Sequence, residues 1–175
     1  SLKNLTKYPV IAGLVGGFFC LQLAGQVHPS TWSYFTMKVF GWSPKEVGYS
    51  LAFVGLIVAV VQGGLNRLII PKIGEIKAIS YGLILYAIGF FLFSYASKSW
   101  MMYVFMVPFG LGGIAGPALQ SLITQQVGPD EQGELQGGLT SLQSVTTILG
   151  PLLASNLFAH FTSTSASIYF PGAAF

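Results

Sequence analysis

Apolar runs divided by short polar punctuation set the pattern of this chain. A helix needs about 20 mostly apolar residues to cross a bilayer. Five stretches meet that length, at about 8–40, 45–68, 76–96, 100–125 and 132–161. The first is longer than a crossing requires and contains Pro29, which predicts a bend between Gln26 and Ser30. Ser43-Pro44 starts the second. After "TSTSAS", the segment "IYFPGAAF" (168–175) reads as the opening of a sixth span. Five spans and a fraction predict an all-α integral membrane fold, with 1–175 as part of a larger protein.

Polar residues interrupt this pattern in two places. In the fifth stretch Thr140, Gln143, Ser144, Thr147 and Pro151 recur at three- and four-residue steps, which places them on one helix face. In the first, Gln22, Gln26, Ser30 and Ser33 form a similar stripe. A lone Ser or Thr can satisfy itself on its own helix, and an interhelical hydrogen bond is worth only about 0.6 kcal/mol. The primary amides of Gln22, Gln26 and Gln143 need partners on two sides. Two amide-bearing stripes predict a wet cavity, with Gln22, Gln26, Gln143, Ser144 and Thr147 as candidate substrate-binding residues.

Composition sharpens the class. Of 175 residues 53% are hydrophobic and 7% charged, and mean hydropathy is +0.67. Soluble domains carry about 25% charged residues, so a bilayer is the solvent this chain suits. The net charge of +3 is dispersed between apolar runs and forms no basic patch, which argues against nucleic acid. Lys3, Lys7, Arg67, Lys72 and Lys77 fall on one side of the alternating spans, and Lys38, Lys45 and Lys98 on the other. The richer side is expected in the cytoplasm. Trp32, Trp42 and Trp100 fall near the opposite ends, as interfacial belts do. The Lys-containing lead resembles a signal peptide, but its apolar run is too long and more spans follow.

Chemistry-bearing residues are few. No Asp, Glu, Lys or Arg lies in the middle of a span, although membrane charges commonly mark function. His28 is the titratable exception and a candidate proton relay. Its bland reading is an interfacial ring beside the Pro29 bend, bonding freed carbonyls. His160 falls at a span end and reads as interfacial. Cys20 is the single cysteine, so no internal disulfide and no metal site rests on it. Gly13/Gly17, Gly112/Gly116 and Gly133/Gly137 show G-x-x-x-G spacing, for which close packing is the ordinary explanation. Gly116-Pro117 and Gly150-Pro151 are candidate bends.

Several stretches carry a resemblance. "FGWSPKEVGYSLAFVGL", "PKIGEIKAI" and the long run "GGIAGPALQSLITQQVGPDEQGELQGGLTSLQSVTTILGPLL" together cover most of the chain. They resemble the C-terminal half of major facilitator superfamily transporters, nearest the tetracycline-resistance type of drug:proton antiporter. The resemblance implies helices seven to eleven and the start of twelve, with six helices in a missing N-terminal half. It implies a place in a cell membrane, the inner membrane of a bacterium, and it implies that helices seven and eleven help line a central cavity. Gly74, Glu75 and Lys77 stand in the turn between helices eight and nine, which reads as a solvated turn setting topology. Members of the tetracycline type often carry a proton-coupling His in helix eight and Asp in helix nine; those places hold Val58 and Tyr86 here.

The function expected is secondary active transport, namely proton-coupled efflux of a small amphipathic drug or metabolite by alternating access. The partners expected are that substrate, protons, lipid and the N-terminal half, with no cofactor. Two alternatives stand beside it. A structural membrane subunit would use the packing glycines but leaves the polar stripes without purpose. An intramembrane enzyme needs reactive groups converging at one depth, and the spans offer only His28 and scattered hydroxyls.

Overall fold

The five long apolar stretches fold as helix, whereas 168–175, expected to open a sixth span, holds only a short turn. The computed structural model describes residues 9–163 and 168–175, with no strand among them. The first span holds α1 (Pro9–Gly25) and α2 (Val27–Phe40). The second holds α3 (Pro44–Val60), a π-helical segment (Val61–Leu65) and α4 (Asn66–Ile73). The third is α5 (Glu75–Ser94), the fourth joins α6 (Ser99–Gly112) to α7 (Ala115–Thr124), and the fifth is α8 (Gln132–Thr162). Residues 168–175 carry a 3₁₀ turn, Pro171–Ala174, and Gly172 sits directly on the Ser94 backbone. Lys3, Lys7 and most of the "TSTSAS" loop lie outside the described residues.

Proline accounts for two breaks by the same arithmetic. Pro29 offers no N–H to the Gly25 carbonyl, and the chain breaks at Gln26, whose N–H bonds the Leu23 carbonyl at 3.1 Å. That is the expected bend. Pro117 likewise leaves the Gly113 carbonyl without its donor. There Gly113 and Ile114 form tight bonds to Gly110 and Leu111 at 3.0 and 3.3 Å. Pro151 leaves α8 unbroken, so only one of the two Gly-Pro pairs interrupts its helix.

Turn chemistry joins the spans. Gly41, at φ 66°, closes α2 with its N–H on the Met37 carbonyl at 3.1 Å. Ser43 then opens α3 through a capping box: Glu46 Oε2 accepts from the Ser43 N–H at 2.7 Å, and the Glu46 N–H donates to Ser43 Oγ at 3.4 Å. At the other end of the bundle, Gly74 alone separates α4 from α5, at φ 82° and ψ 157°.

The fourth span is central. Half of its most apolar stretch is buried within the chain, against 6% for the second span. It approaches α5 over glycines. A Cβ on Gly82 would lie 2.8 Å from the Ala115 Cβ, and one on Gly89 would lie 2.8 Å from the Phe109 Cβ. Neither belongs to a G-x-x-x-G pair. Gly112 packs on Tyr86, whereas Gly13, Gly17, Gly116, Gly133 and Gly137 have open space where a Cβ would be.

Two cores fill opposite ends. At the end marked by Trp42, an aromatic cluster gathers Trp32, Phe35, Trp42, Phe93, Phe109 and Phe158 with Met102 and Met106. At the end marked by Gly74, an aliphatic cluster joins Ile11, Val15 and Phe18 of α1 to Leu119 and Ile123 of α7 and to Leu135 and Leu139 of α8. Trp32 departs from the expected belt. It is fully buried, and its Nε1 donates to Ser50 Oγ at 2.8 Å. Trp42 is buried too and donates to Ser99 Oγ at 3.0 Å; Trp100 is exposed.

Candidate functional site

The α8 helix packs along one line. Leu135, Leu139, Thr146, Gly150, Ala154 and Phe158 are buried, at the three-, four- and seven-residue steps of one helix face. Gln143 and Thr147 share the angular range of that face and Ser144 borders it, yet all three are exposed. Ser144 Oγ donates to the Thr140 carbonyl at 3.0 Å, and Thr147 Oγ1 to the Gln143 carbonyl at 2.9 Å. These hydroxyl protons are therefore used within the helix, while their oxygens and the Gln143 amide stay accessible. Among the described residues Gln143 has no side-chain hydrogen bond.

Gln22 and Gln26 of the first span are half-buried. Gln26 occupies the break itself, and its carbonyl accepts from the Ser30 N–H at 3.2 Å and from Ser30 Oγ at 2.5 Å. Its side chain crosses α8 at Gly150, where an added Cβ would collide with Gln26 Cβ and Cγ. The two stripes thus meet at one crossing, Gln26 on Gly150, one turn beyond Thr147. The exposed part of the α8 stripe flanks that crossing on the side this chain leaves uncovered.

His28 lies two residues past the break and is only 6% exposed. Its ring is stacked between Trp32, at 4.5 Å between centroids, and Phe109, at 4.9 Å. Phe93 stands 6.2 Å away. Its Nε2 is buried without a hydrogen-bond partner. The expected bond to a freed carbonyl is absent from that nitrogen. Ser30 Oγ donates to Gln26, and Thr31 Oγ1 to Val27 at 2.7 Å. Tyr86 is half-buried and meets the same Phe109 ring edge-on at 5.1 Å. Val58 is exposed on α3. His160 is exposed near the end of α8, as expected.

A second polar region was not read from the sequence. At the Gly74 end, a groove of about 420 Å³ lies between α7 and the start of α8, lined by Pro117, Gln120, Ser121, Thr124, Gln125, Gln132 and Gln136. Gln120 Nε2 donates to Gln136 Oε1 at 3.1 Å, and Gln136 Nε2 to Thr124 Oγ1 at 3.3 Å. Gln125 Nε2 donates to Glu75 Oε1 at 2.9 Å, and Ser121 Oγ donates to the same oxygen at 3.4 Å. Glu75 is therefore tied to α7 rather than standing in a merely solvated turn. The signal was available: Gln120/Thr124 and Gln132/Gln136 are i,i+4 pairs on either side of the "GPDE" turn, so they end face to face.

Neutral donors and acceptors dominate both polar regions. They can bind a ligand through hydrogen bonds and release it at small cost, which suits passage better than bond-making. Among the described residues no group of His, Cys, Asp and Glu could hold a metal ion.

Comparison with known proteins places this architecture. The family model described as Major Facilitator Superfamily matches residues 3–175. The chain is 38% identical to the tetracycline resistance protein, class C, of Escherichia coli over 155 residues, which are 89% of the chain and 39% of that protein. It is 40% identical to the class E protein of Escherichia coli over 85% of the chain and 37% of the relative. The class B protein of Escherichia coli is 37% identical over 89% and 39%. The chain thus spans about two fifths of the length of these relatives. Its five helices of 20 to 34 residues are long and apolar enough to cross a membrane. Taken with the glycine-packed helical bundle and the uncovered polar stripe, the match makes this a multi-pass membrane chain that belongs to the major facilitator superfamily.

Proposed function

We propose that the chain is the C-terminal half of a secondary transporter that exports a small amphipathic molecule against proton entry, by alternating access. The observation that carries this reading is the α8 stripe. Gln143, Ser144 and Thr147 are exposed on a helix otherwise suited to lipid, beside the Gln26–Gly150 crossing. Pathways in such transporters run between two repeats, with substrate sites near the bilayer midplane. An uncovered polar face fits the surface on which an N-terminal half would close. Gln22 and Gln26 complete the face from the first span, and all five residues bind substrate through hydrogen bonds. The basic ends at Arg67, Lys72 and Lys77 face the cytoplasm of a bacterial cell, and Lys45 and Lys98 face outward. Reporter fusions after Lys77 and Lys98 give opposite signals on this topology, and like signals refute it.

The relatives are named for tetracycline resistance, but Val58 and Tyr86 stand where the tetracycline type often holds His and Asp. Tetracycline export by the complete protein is therefore expected to be weak or absent. Strong resistance in an efflux-deficient host would overturn that expectation. The transport reading itself is tested by single cysteines from Leu139 to Leu153 in the complete protein, treated with a water-soluble thiol reagent. Labelling recurs at positions 140, 143, 144 and 147 if the stripe lines a path, and a transported dye such as ethidium protects those positions. Uniform labelling, or none, reduces the stripe to packing.

A further inference from the structure

His28 and its surroundings carry one step more. The described spans hold no carboxylate or ammonium near mid-depth, and the helix-eight and helix-nine places are filled by Val58 and Tyr86. Coupling to an ion gradient still needs a group that changes charge. Hard cations such as Na⁺ are coordinated by clustered oxygens, whereas the His28 ring is flanked by the aromatic rings of Trp32, Phe93 and Phe109. Such a site suits a proton. The stacked rings lie within the ~6 Å at which an aromatic face attracts a cation. The unpartnered Nε2 is a vacant proton acceptor or donor. An orphaned buried nitrogen is costly, and its retention calls for a purpose.

We infer that His28 is the protonation site of this half, taking a proton from the outer side and releasing it inward. The inference rests on the transporter reading above. Uptake forms the Nε2–H bond and places one positive charge on the imidazole between Trp32 and Phe109. Release breaks that bond, and water on the cytoplasmic side takes the proton. No other charge intrudes on the ring. On α2, Lys38 is at the far end and donates to the Thr162 carbonyl at 3.0 Å. The α3 helix supplies Ser50 beneath Trp32, and its Glu46 is engaged in the capping box. No charged residue occurs in α6, in α5 after Lys77, or in the described part of α1. The α8 helix has none between Glu134 and His160. Tyr86 is the remaining titratable neighbour, one ring away across Phe109. The break at Gln26, packed on Gly150, lies directly before His28, so any movement at that crossing changes which side reaches the ring.

The test uses the complete transporter in proteoliposomes with ethidium as the probe, in wild type, His28→Gln and His28→Phe. Glutamine keeps hydrogen bonding without the charge, and phenylalanine keeps the stack. Two modes are read: transport driven by a pH gradient, and exchange of labelled for unlabelled ethidium at equal pH. Both variants are expected to lose gradient-driven transport by about tenfold or more and to flatten its pH profile. Exchange stays within about twofold of wild type, because it needs no net proton movement. A variant with wild-type gradient-driven rates and pH profile overturns the assignment of His28. Loss of both modes in both variants overturns it in favour of a packing role. A wild type that moves ethidium in neither mode overturns the transporter reading itself.

Discussion

The two ends of this bundle are held together by different means. At the Trp42 end aromatic rings meet in a buried cluster, and both indole N–H groups there are fixed: Trp32 bonds Ser50, and Trp42 bonds Ser99. At the Gly74 end an aliphatic cluster is supplemented by amides and hydroxyls that bridge α7, α8 and the start of α5 around an open groove. The difference concerns replaceability. Ring packing is lost outright when a ring is removed. Exposed amide bonds exchange with water at little cost, so an end held by them can open and close. The Trp42 end reads as an anchor, and the Gly74 end as a clasp.

Substitutions can break that contrast. Trp32→Ala should cause the largest loss, about 3–5 kcal/mol, by leaving a cavity in the aromatic cluster. Denaturant titration of the complete protein in one detergent would measure it. Gly89→Ala comes next, at about 1–3 kcal/mol, because the new Cβ meets Phe109 backbone and must push α5 from α6. Ser50→Ala orphans the Trp32 N–H and should cost about 1 kcal/mol. Gln136→Leu, at the clasp, should cost least, about 0.6 kcal/mol. It should instead change how readily a cysteine at position 120 is labelled from the water phase. If Gln136→Leu destabilises as much as Trp32→Ala, both ends are anchors and the contrast fails.

The spans were legible because membrane helices must be long and apolar. The first bend was legible because proline removes one identifiable hydrogen bond. Facing was harder to read. In a soluble helix polarity marks the outside, but in lipid both outside and core are apolar. Nothing in the residue types therefore separates buried Leu139 and Phe158 from exposed Leu149 and Leu152. Trp32 was misplaced for that reason: its depth fits an interfacial belt, and only the partners Phe93 and Ser50 reveal a core residue. Four-residue glycine spacing picks out Gly112, which does pack closely, but misses Gly82 and Gly89 of α5, seven residues apart. The glutamine groove was missed because its two halves lie in separate spans. Only the turn at Pro129 brings them together.

Gly74 carries a genetic consequence. At φ 82° and ψ 157° it occupies a region open almost solely to glycine, where any Cβ costs about 1–3 kcal/mol. Every amino acid one base change away from a glycine codon has a Cβ. The position therefore has no neutral missense neighbour, whereas nearby Gly128 and Gly133, without positive φ and with open space around them, can drift. A saturation library should show this as a single intolerant column at position 74 between tolerant surface columns.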